Sequence, residues 1–335
     1  MSPSELRRNE LTGEWVAFAP PRSGRPKDWS RGRDDAPALP KRDPACPFCP
    51  GNEEELPGIL LELTAPGGSQ WQTRVVPNKY PALAPTGDIK RRTDGFHLSM
   101  DNYGRHEVII ESPDHDAELS EMSQLAVETI VETYHQRYID AMRRHENLLC
   151  VIFRNHGRLA GASLAHPHSQ IIATGVVPRR IREREEHAEA YYDQWGRCVL
   201  CDMIEHELRD GGRLVDGNDS FAAFVPYAAA VPFEVWITPL RHTADFGAVR
   251  ENEKRDLARS LRRVLTRLRR RLSAPDYNYV VHTAAQHRAD EPQLHWYLQV
   301  QPRLTTRAGF EIGSGIRINP TLPEDNAAGL REAPD

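Results

Sequence analysis

The apolar positions of the chain switch between two spacings, and the switch occurs twice in the same order. In the first pass, "EVIIESPDH" reads as a strand ending at His115. Val127, Val131, Tyr134, Tyr138 and Met142 then follow at steps of three and four, the spacing of one helical face. Next come a strand-like "LLCVIFRN", a polar loop "HGRLAGASLA", and His166-Pro-His168-Ser-Gln170 at the head of an apolar run. In the second pass, "FEVWITPLRH" ends at His242, Leu257, Leu261, Val264, Leu265, Leu268 and Leu272 mark a helix, and "YNYVVHT" precedes a polar loop and His295-Trp-Tyr297-Leu-Gln299. His115 and His166 are 51 residues apart, and His242 and His295 are 53 apart.

One unit used twice predicts two fused halves, residues 1–178 and 179–335, with a degenerate terminal motif in the second. The order strand, helix, strand, strand predicts an α+β fold, antiparallel sheets with helices packed on one side. The charged stretch 179–197 is expected to be a helix between the halves. Residues 20–45, rich in Pro, Arg, Asp and Gly, read as an extended loop, and the tail after Pro323 is expected to fray.

At 335 residues, 39% apolar and 27% charged, the chain can bury a substantial core. A net charge of −5 gives no reason to expect nucleic acid as a partner. The opening "MSPSELRRNELTGEW" has no apolar signal region, and no apolar run is long enough to span a bilayer, so a cytoplasmic protein without a membrane partner is expected. That expectation changes the meaning of the cysteines. Cys150 sits in an apolar run and reads as a buried hydrophobe, but the other four form two Cys-x-x-Cys pairs.

Each half offers two thiols, a histidine at a strand end, and the first histidine of the last motif. These are Cys46, Cys49, His115 and His166, and then Cys198, Cys201, His242 and His295. Two thiolates and two imidazoles make a tetrahedral zinc set, and a full set leaves no open position, so both sites are expected to be structural. A redox pair with ordinary surface histidines is the other reading of the same spacing.

With His166 facing a metal, His168 is left for other chemistry. A neutral imidazole is a nitrogen nucleophile able to attack a phosphoanhydride phosphorus, and a backbone carbonyl accepting Nδ1–H would aim Nε2 outward. Gln170, one alternation away, could donate to a non-bridging phosphoryl oxygen. The preceding loop supplies Gly157, Gly161 and Ser163, which let backbone N–H groups approach a phosphate. The competing readings are a solvated strand histidine or a further ligand of the same metal.

At "HPHSQ" the chain resembles the histidine-triad superfamily, and more closely the galactose-1-phosphate uridylyltransferase family, which has two histidine-triad-like halves. The resemblance extends through "NELTGEWVAFAPPRSGRP", "CPFCPGN", "VVPNKYPAL", "ESPDHDAELSEM", "FRNHGRLAGASLAHPHSQ", "VPYAAAVPFEVWITP" and "AGFEIGSGIRINPTLPED". It implies ping-pong transfer of a nucleoside monophosphate from a nucleotide sugar through a nucleotidyl-His168, with Gln170 holding the transferred phosphate. UDP-glucose:hexose-1-phosphate uridylyl transfer is the first reading. The resemblance also implies zinc on Cys46, Cys49, His115 and His166, nucleotide contacts from Arg22, Arg25, Asn78, Asn155 and Ser163, hexose contacts from Phe310 and Glu311, and a homodimer. Tyr297 departs from the His-Trp-His of the best-known members and resembles the branch containing plant ADP-glucose phosphorylase. Adenylyl transfer to inorganic phosphate is therefore the alternative, and hydrolysis of the same intermediate is another.

Overall fold

In the computed structural model, residues 4–24, 39–65 and 67–333 are described; Arg25 lies outside them. The core is one ten-stranded sheet. Its strands in chain order are β1 (Leu61–Thr64), β2 (Trp71–Pro77), β3 (Gly104–Ile110), β4 (Leu149–His156) and β5 (His168–Thr174), then β6 (Leu214–Gly217), β7 (Phe221–Phe224), β8 (Val235–Pro239), β9 (Tyr277–His282) and β10 (Tyr297–Pro302). Across the sheet the order is β6-β7-β8-β10-β9-β4-β5-β3-β2-β1. Each half thus has the same local order, and the two join edge to edge through the antiparallel β4–β9 pair, Asn155 opposite Asn278 and Arg154 opposite Tyr279. The expectation of antiparallel strands holds, with the two sheets merged into one. Sequence periodicity found β3, β4 and β5 and their counterparts, but not the outer strands β1, β2, β6 and β7.

Helices α1 (Gln124–Met142) and α4 (Glu251–Arg271) connect the third and fourth strands of each half. The Ser123 hydroxyl caps α1 by accepting from Ala126 N–H at 3.2 Å. In α4, Glu251 and Glu253 stand in the first turn and three arginines in the last, the arrangement that the helix dipole favours. Val127, Ile130, Val131 and Tyr134 of α1 and Leu257, Leu261, Val264 and Leu268 of α4 bury themselves with one face of the sheet in a common core. The opposite face differs between the halves. In the second half, α2 (Arg179–Trp195) and α3 (Val199–Asp210) cover it, with Ala188, Val199 and Leu200 packed on Ala222, Phe224, Trp236 and Tyr297. In the first half that face carries a smaller cluster, Cys46, Phe48, Cys49, Trp71, Val76, Val108 and Ile110. The expectation of helices on one side thus describes α1 and α4 but not α2 and α3.

Glu5–Arg8, Trp15–Phe18 and Arg317–Asn319 form a separate three-stranded sheet. The short helix α5 (Gly309–Ser314) precedes its last strand. The tail does not fray as expected: Pro323–Glu332 is helix α6, with Ala327 and Leu330 fully buried in the main core. A proline at its start and apolar residues three apart supply the physical reason. Among the described residues no helix is long and apolar enough to cross a membrane.

Beneath the seam lies a buried ion pair. Arg154 Nε faces Glu111 Oε2 at 3.3 Å, with both side chains almost wholly excluded from water. The other Glu111 oxygen accepts from Tyr134 Oη at 2.7 Å and from the Ser169 hydroxyl, and Tyr134 and Tyr279 share a hydrogen bond at 2.5 Å. The group therefore ties α1, β4, β5 and β9 together. Removing one partner strands a charge where no water can solvate it. Arg154→Met should destabilise the fold by about 3–5 kcal/mol, and Arg154→Met/Glu111→Leu by less than the single change; urea unfolding of both variants measures the difference.

Candidate functional site

The sequence from His166 to Gln170 makes a site because it enters β5 at a proline. Pro167 cannot donate a ladder hydrogen bond, and its carbonyl instead accepts from Glu111 N–H at 3.0 Å as the strand begins. From His168 onward the side chains alternate. Ser169, Ile171 and Ala173 turn toward the helix-covered core, while His168, Gln170 and Ile172 face the other side beside Val108 and His106 of β3.

His168 is 6% exposed. Its Nδ1 lies 2.8 Å from the His166 carbonyl oxygen, which requires Nδ1 to carry the proton and leaves the Nε2 lone pair free. Burial lowers the pKa of the ring, favouring this neutral form. Phe48 packs edge-on against it, ring centroids 5.5 Å apart. His168 is not a member of the neighbouring thiol–imidazole cluster.

Gln170 is oriented by a residue that the periodicity did not single out. His106 Nδ1 accepts from Ala82 N–H at 3.0 Å, so its Nε2 bears the proton and donates to Gln170 Oε1 at 2.7 Å. With its oxygen committed, Gln170 turns its N–H2 outward as a donor. Asn78 Nδ2 lies 3.1 Å from the same His106 nitrogen, which brings Asn78 to this site. The alternation His106, Val108, Ile110 was the available signal for His106.

Asn155 stands on β4 directly after Arg154, whose partner on β5 is Ser169, the residue after His168. It leads into a tight turn in which Gly157 has φ +83° and Gly161 φ +90°, conformations that disfavour a side chain. Ser163 is exposed beyond this turn. Arg22, Phe310 and Glu311 are placed elsewhere. Arg22 is exposed in the short turn Pro20–Gly24 after the strand Trp15–Phe18. Phe310 is exposed on α5, and the Glu311 carboxylate accepts from Ala308 N–H at 3.1 Å and Ile318 N–H at 3.2 Å. None of the three has a hydrogen bond to His168 or Gln170 among the described residues.

Both thiol–imidazole sets converge as the spacing predicted, with all ligand atoms of each set within 4.8 Å of one another. In the first, Cys49 Sγ lies 3.5 Å from His115 Nδ1 and 3.6 Å from His166 Nδ1, and His166 Nε2 bonds the Ser112 carbonyl at 2.8 Å. In the second, Cys201 Sγ lies 3.3 Å from His242 Nδ1 and 3.4 Å from His295 Nδ1, and His295 Nε2 lies 3.1 Å from the Pro239 carbonyl. A metal-bound imidazole held on its other nitrogen by a carbonyl is the usual outer arrangement of such sites. Burial pushes the Cys46 thiol up to about 11, so without a cation this pocket resists the thiolate that a metal would stabilise. The donor set fits a divalent metal that favours sulfur and nitrogen. All five cysteines are free thiols, and Cys150 is buried in the core.

The chain matches two family profiles, galactose-1-phosphate uridyl transferase N-terminal domain over residues 2–178 and C-terminal domain over residues 184–318. It is 34% identical over 334 residues to an ADP-glucose phosphorylase of Arabidopsis thaliana, covering 98% of this chain and 92% of that one. It is 29% identical to a galactose-1-phosphate uridylyltransferase of Thermotoga maritima, covering 98% of each. A crystal structure of an Arabidopsis thaliana ADP-glucose phosphorylase with bound ADP-glucose superposes with a TM-score of 0.84 at 32% identity over 99% of both chains.

Titrating the reduced, metal-free protein with Co²⁺ should develop thiolate-to-metal absorption to two equivalents. Cys49→Ser should remove one equivalent and Cys201→Ser the other; a single equivalent in the parent protein contradicts this.

Proposed function

Because the chain belongs to the galactose-1-phosphate uridyl transferase family, a family of nucleotidyltransferases, we propose that it moves a nucleoside monophosphate from a nucleotide sugar to a phosphorylated acceptor through a covalent bond to His168. The observation that carries this reading is the His168 ring, buried, neutral, and held through Nδ1 by the His166 carbonyl. Its Nε2 attacks the phosphorus next to the nucleoside, the anhydride bond breaks, and the sugar 1-phosphate leaves. The acceptor phosphate then attacks the same phosphorus, and imidazole departs. Gln170 donates its amide N–H to a non-bridging oxygen as charge accumulates there. Asn78, Asn155, Gly157 and Ser163 line the path of the nucleotide phosphates.

The two metal clusters belong to this proposal as zinc sites. Cys46, Cys49, His115 and His166 would hold the first ion, whose role would be structural: it would tie the Cys46–Cys49 loop to His115 and His166 and so hold in place the His166 carbonyl that orients His168. Free cysteines used as ligands suit a cytoplasmic setting. Arg22, Phe310 and Glu311, unconnected to His168 within one chain, are assigned to a site completed by a second copy in a homodimer; Arg25 is assigned with them.

Uridylyl transfer between hexose 1-phosphates is the reading that the family supports. A specific observation favours a second reading, adenylyl transfer from ADP-glucose to phosphate: the relative at 34% identity is an ADP-glucose phosphorylase, and Tyr297 stands where His-Trp-His members have histidine. Incubation with labelled UDP-glucose and, separately, ADP-glucose, followed by mass spectrometry, distinguishes them. A nucleotide adduct on His168, absent in His168→Gly, is expected. An adduct of UMP released by galactose 1-phosphate supports the first reading, and one of AMP released by phosphate the second. An adduct on any other side chain overturns both.

A further inference from the structure

The second half has Tyr297 where the first has His168, yet it reaches into the turn that follows β4. Asp276, buried immediately before β9, accepts from Leu159 N–H at 2.6 Å. A Cβ on Gly157 would overlap the same carboxylate, so the turn has been drawn tight against it. Two residues on, Asn278 Nδ2 donates to the Ala160 carbonyl at 2.9 Å and to Asn155 Oδ1 at 2.7 Å. Three atoms of the Asn155–Ala160 turn are thus held by two side chains of the other half.

These contacts fix the direction of a functional amide. A backbone carbonyl can only accept, so the Ala160 oxygen requires Asn278 to present its nitrogen. The second hydrogen of that nitrogen then requires an oxygen from Asn155. Asn155 is left with its N–H2 turned away from β9, on the side of the sheet that carries His168 and Gln170. The orientation is kept although it leaves Asn278 Oδ1 buried with no hydrogen-bond partner. A group left unsatisfied in this way is costly, and it persists because the Ala160 carbonyl and Asn155 jointly determine it.

We propose that Asp276 and Asn278 are positioning residues of the second half that set the Asn155–Ser163 turn and aim the Asn155 amide N–H2 at the phosphates of the bound nucleotide sugar. The proposal rests on the nucleotidyl-His168 reading. It assigns to the degenerate half a part in the chemistry of the intact one: the donor N–H2 of Asn155 is selected from across the seam.

Single-turnover nucleotidylation of His168 by the donor that labels the parent protein, with thermal melting of each variant, tests it. Asn278→Ala and Asn155→Ala should each slow adduct formation at saturating donor by up to about 100-fold, the scale of a small misplacement of a reacting phosphate. Asn278→Ala/Asn155→Ala should be no slower than the slower single variant, because both changes remove the same donor. Asp276→Ala should slow the reaction, and Asp276→Asn, which retains an oxygen for Leu159 N–H, should recover most of the lost rate. Parent-like rates in Asn278→Ala, or losses that multiply in the double variant, overturn the inference and leave the nucleotidyl-His168 reading intact. Absence of any adduct in the parent protein overturns both. Should Asn278→Ala fail to fold, the Asp276 pair decides alone: equal rates in Asp276→Ala and Asp276→Asn overturn the inference.

Discussion

The antiparallel pairing of β4 with β9 is the constraint from which the rest follows. It satisfies the open backbone edges of two five-stranded units at once, and so converts two sheets into one. It also sets α1 and α4 side by side over a shared core. Under the seam it shuts the Arg154–Glu111 pair away from water, together with hydroxyls from both halves. A charged pair there gives less than an apolar filling could, but it has a directional requirement that greasy side chains lack. Slipping the β4–β9 register by one residue would turn Tyr279 to the other face and take its hydroxyl away from Tyr134.

The two halves share one strand order but cover their outer faces differently. In the first, the face bearing His168 carries only a small apolar cluster. In the second, that face is filled. Tyr297 occupies the place of His168 and stacks against Trp236 and His282, each with ring centroids 4.6 Å away. Gln299 donates to the buried Glu234 carboxylate at 2.6 Å, and Arg184 of α2 closes over His282 at 2.9 Å. The polar groups on this face are satisfied by one another, which is what burial demands. Through Asp276 and Asn278 this half also braces the Asn155–Ala160 turn of the other.

Much of this was legible in the chain itself. The helix faces of α1 and α4 obey a spacing of three and four, and Cys-x-x-Cys with two ordered histidines brought eight ligands to two points. The alternation of His168 and Gln170 put both on one face of β5, because a strand offers only two directions. The strands β1, β2, β6 and β7 were not legible: β1, β6 and β7 are only four residues long, too few for a period to emerge, and the seven residues of β2 are mostly buried on both faces and do not alternate. Arg154 and Glu111 read as polar strand residues, since nothing local shows that each is the other's partner. Asp276 and Asn278 have no signal near them either. Their meaning comes from the register across the seam, and register is a property of the assembled sheet.

The two thiol clusters differ in shelter, and the difference bears on how the molecule ages. All four ligands of the first are buried, whereas in the second Cys201 is half-covered and His242 is exposed. A peroxide diffusing in from solvent therefore meets the C-terminal sulfur first, and thiolates oxidise where they can be reached. Wear therefore falls first on the C-terminal cluster, and an early oxidative hit loosens that half while the buried N-terminal cluster beside His168 is still intact.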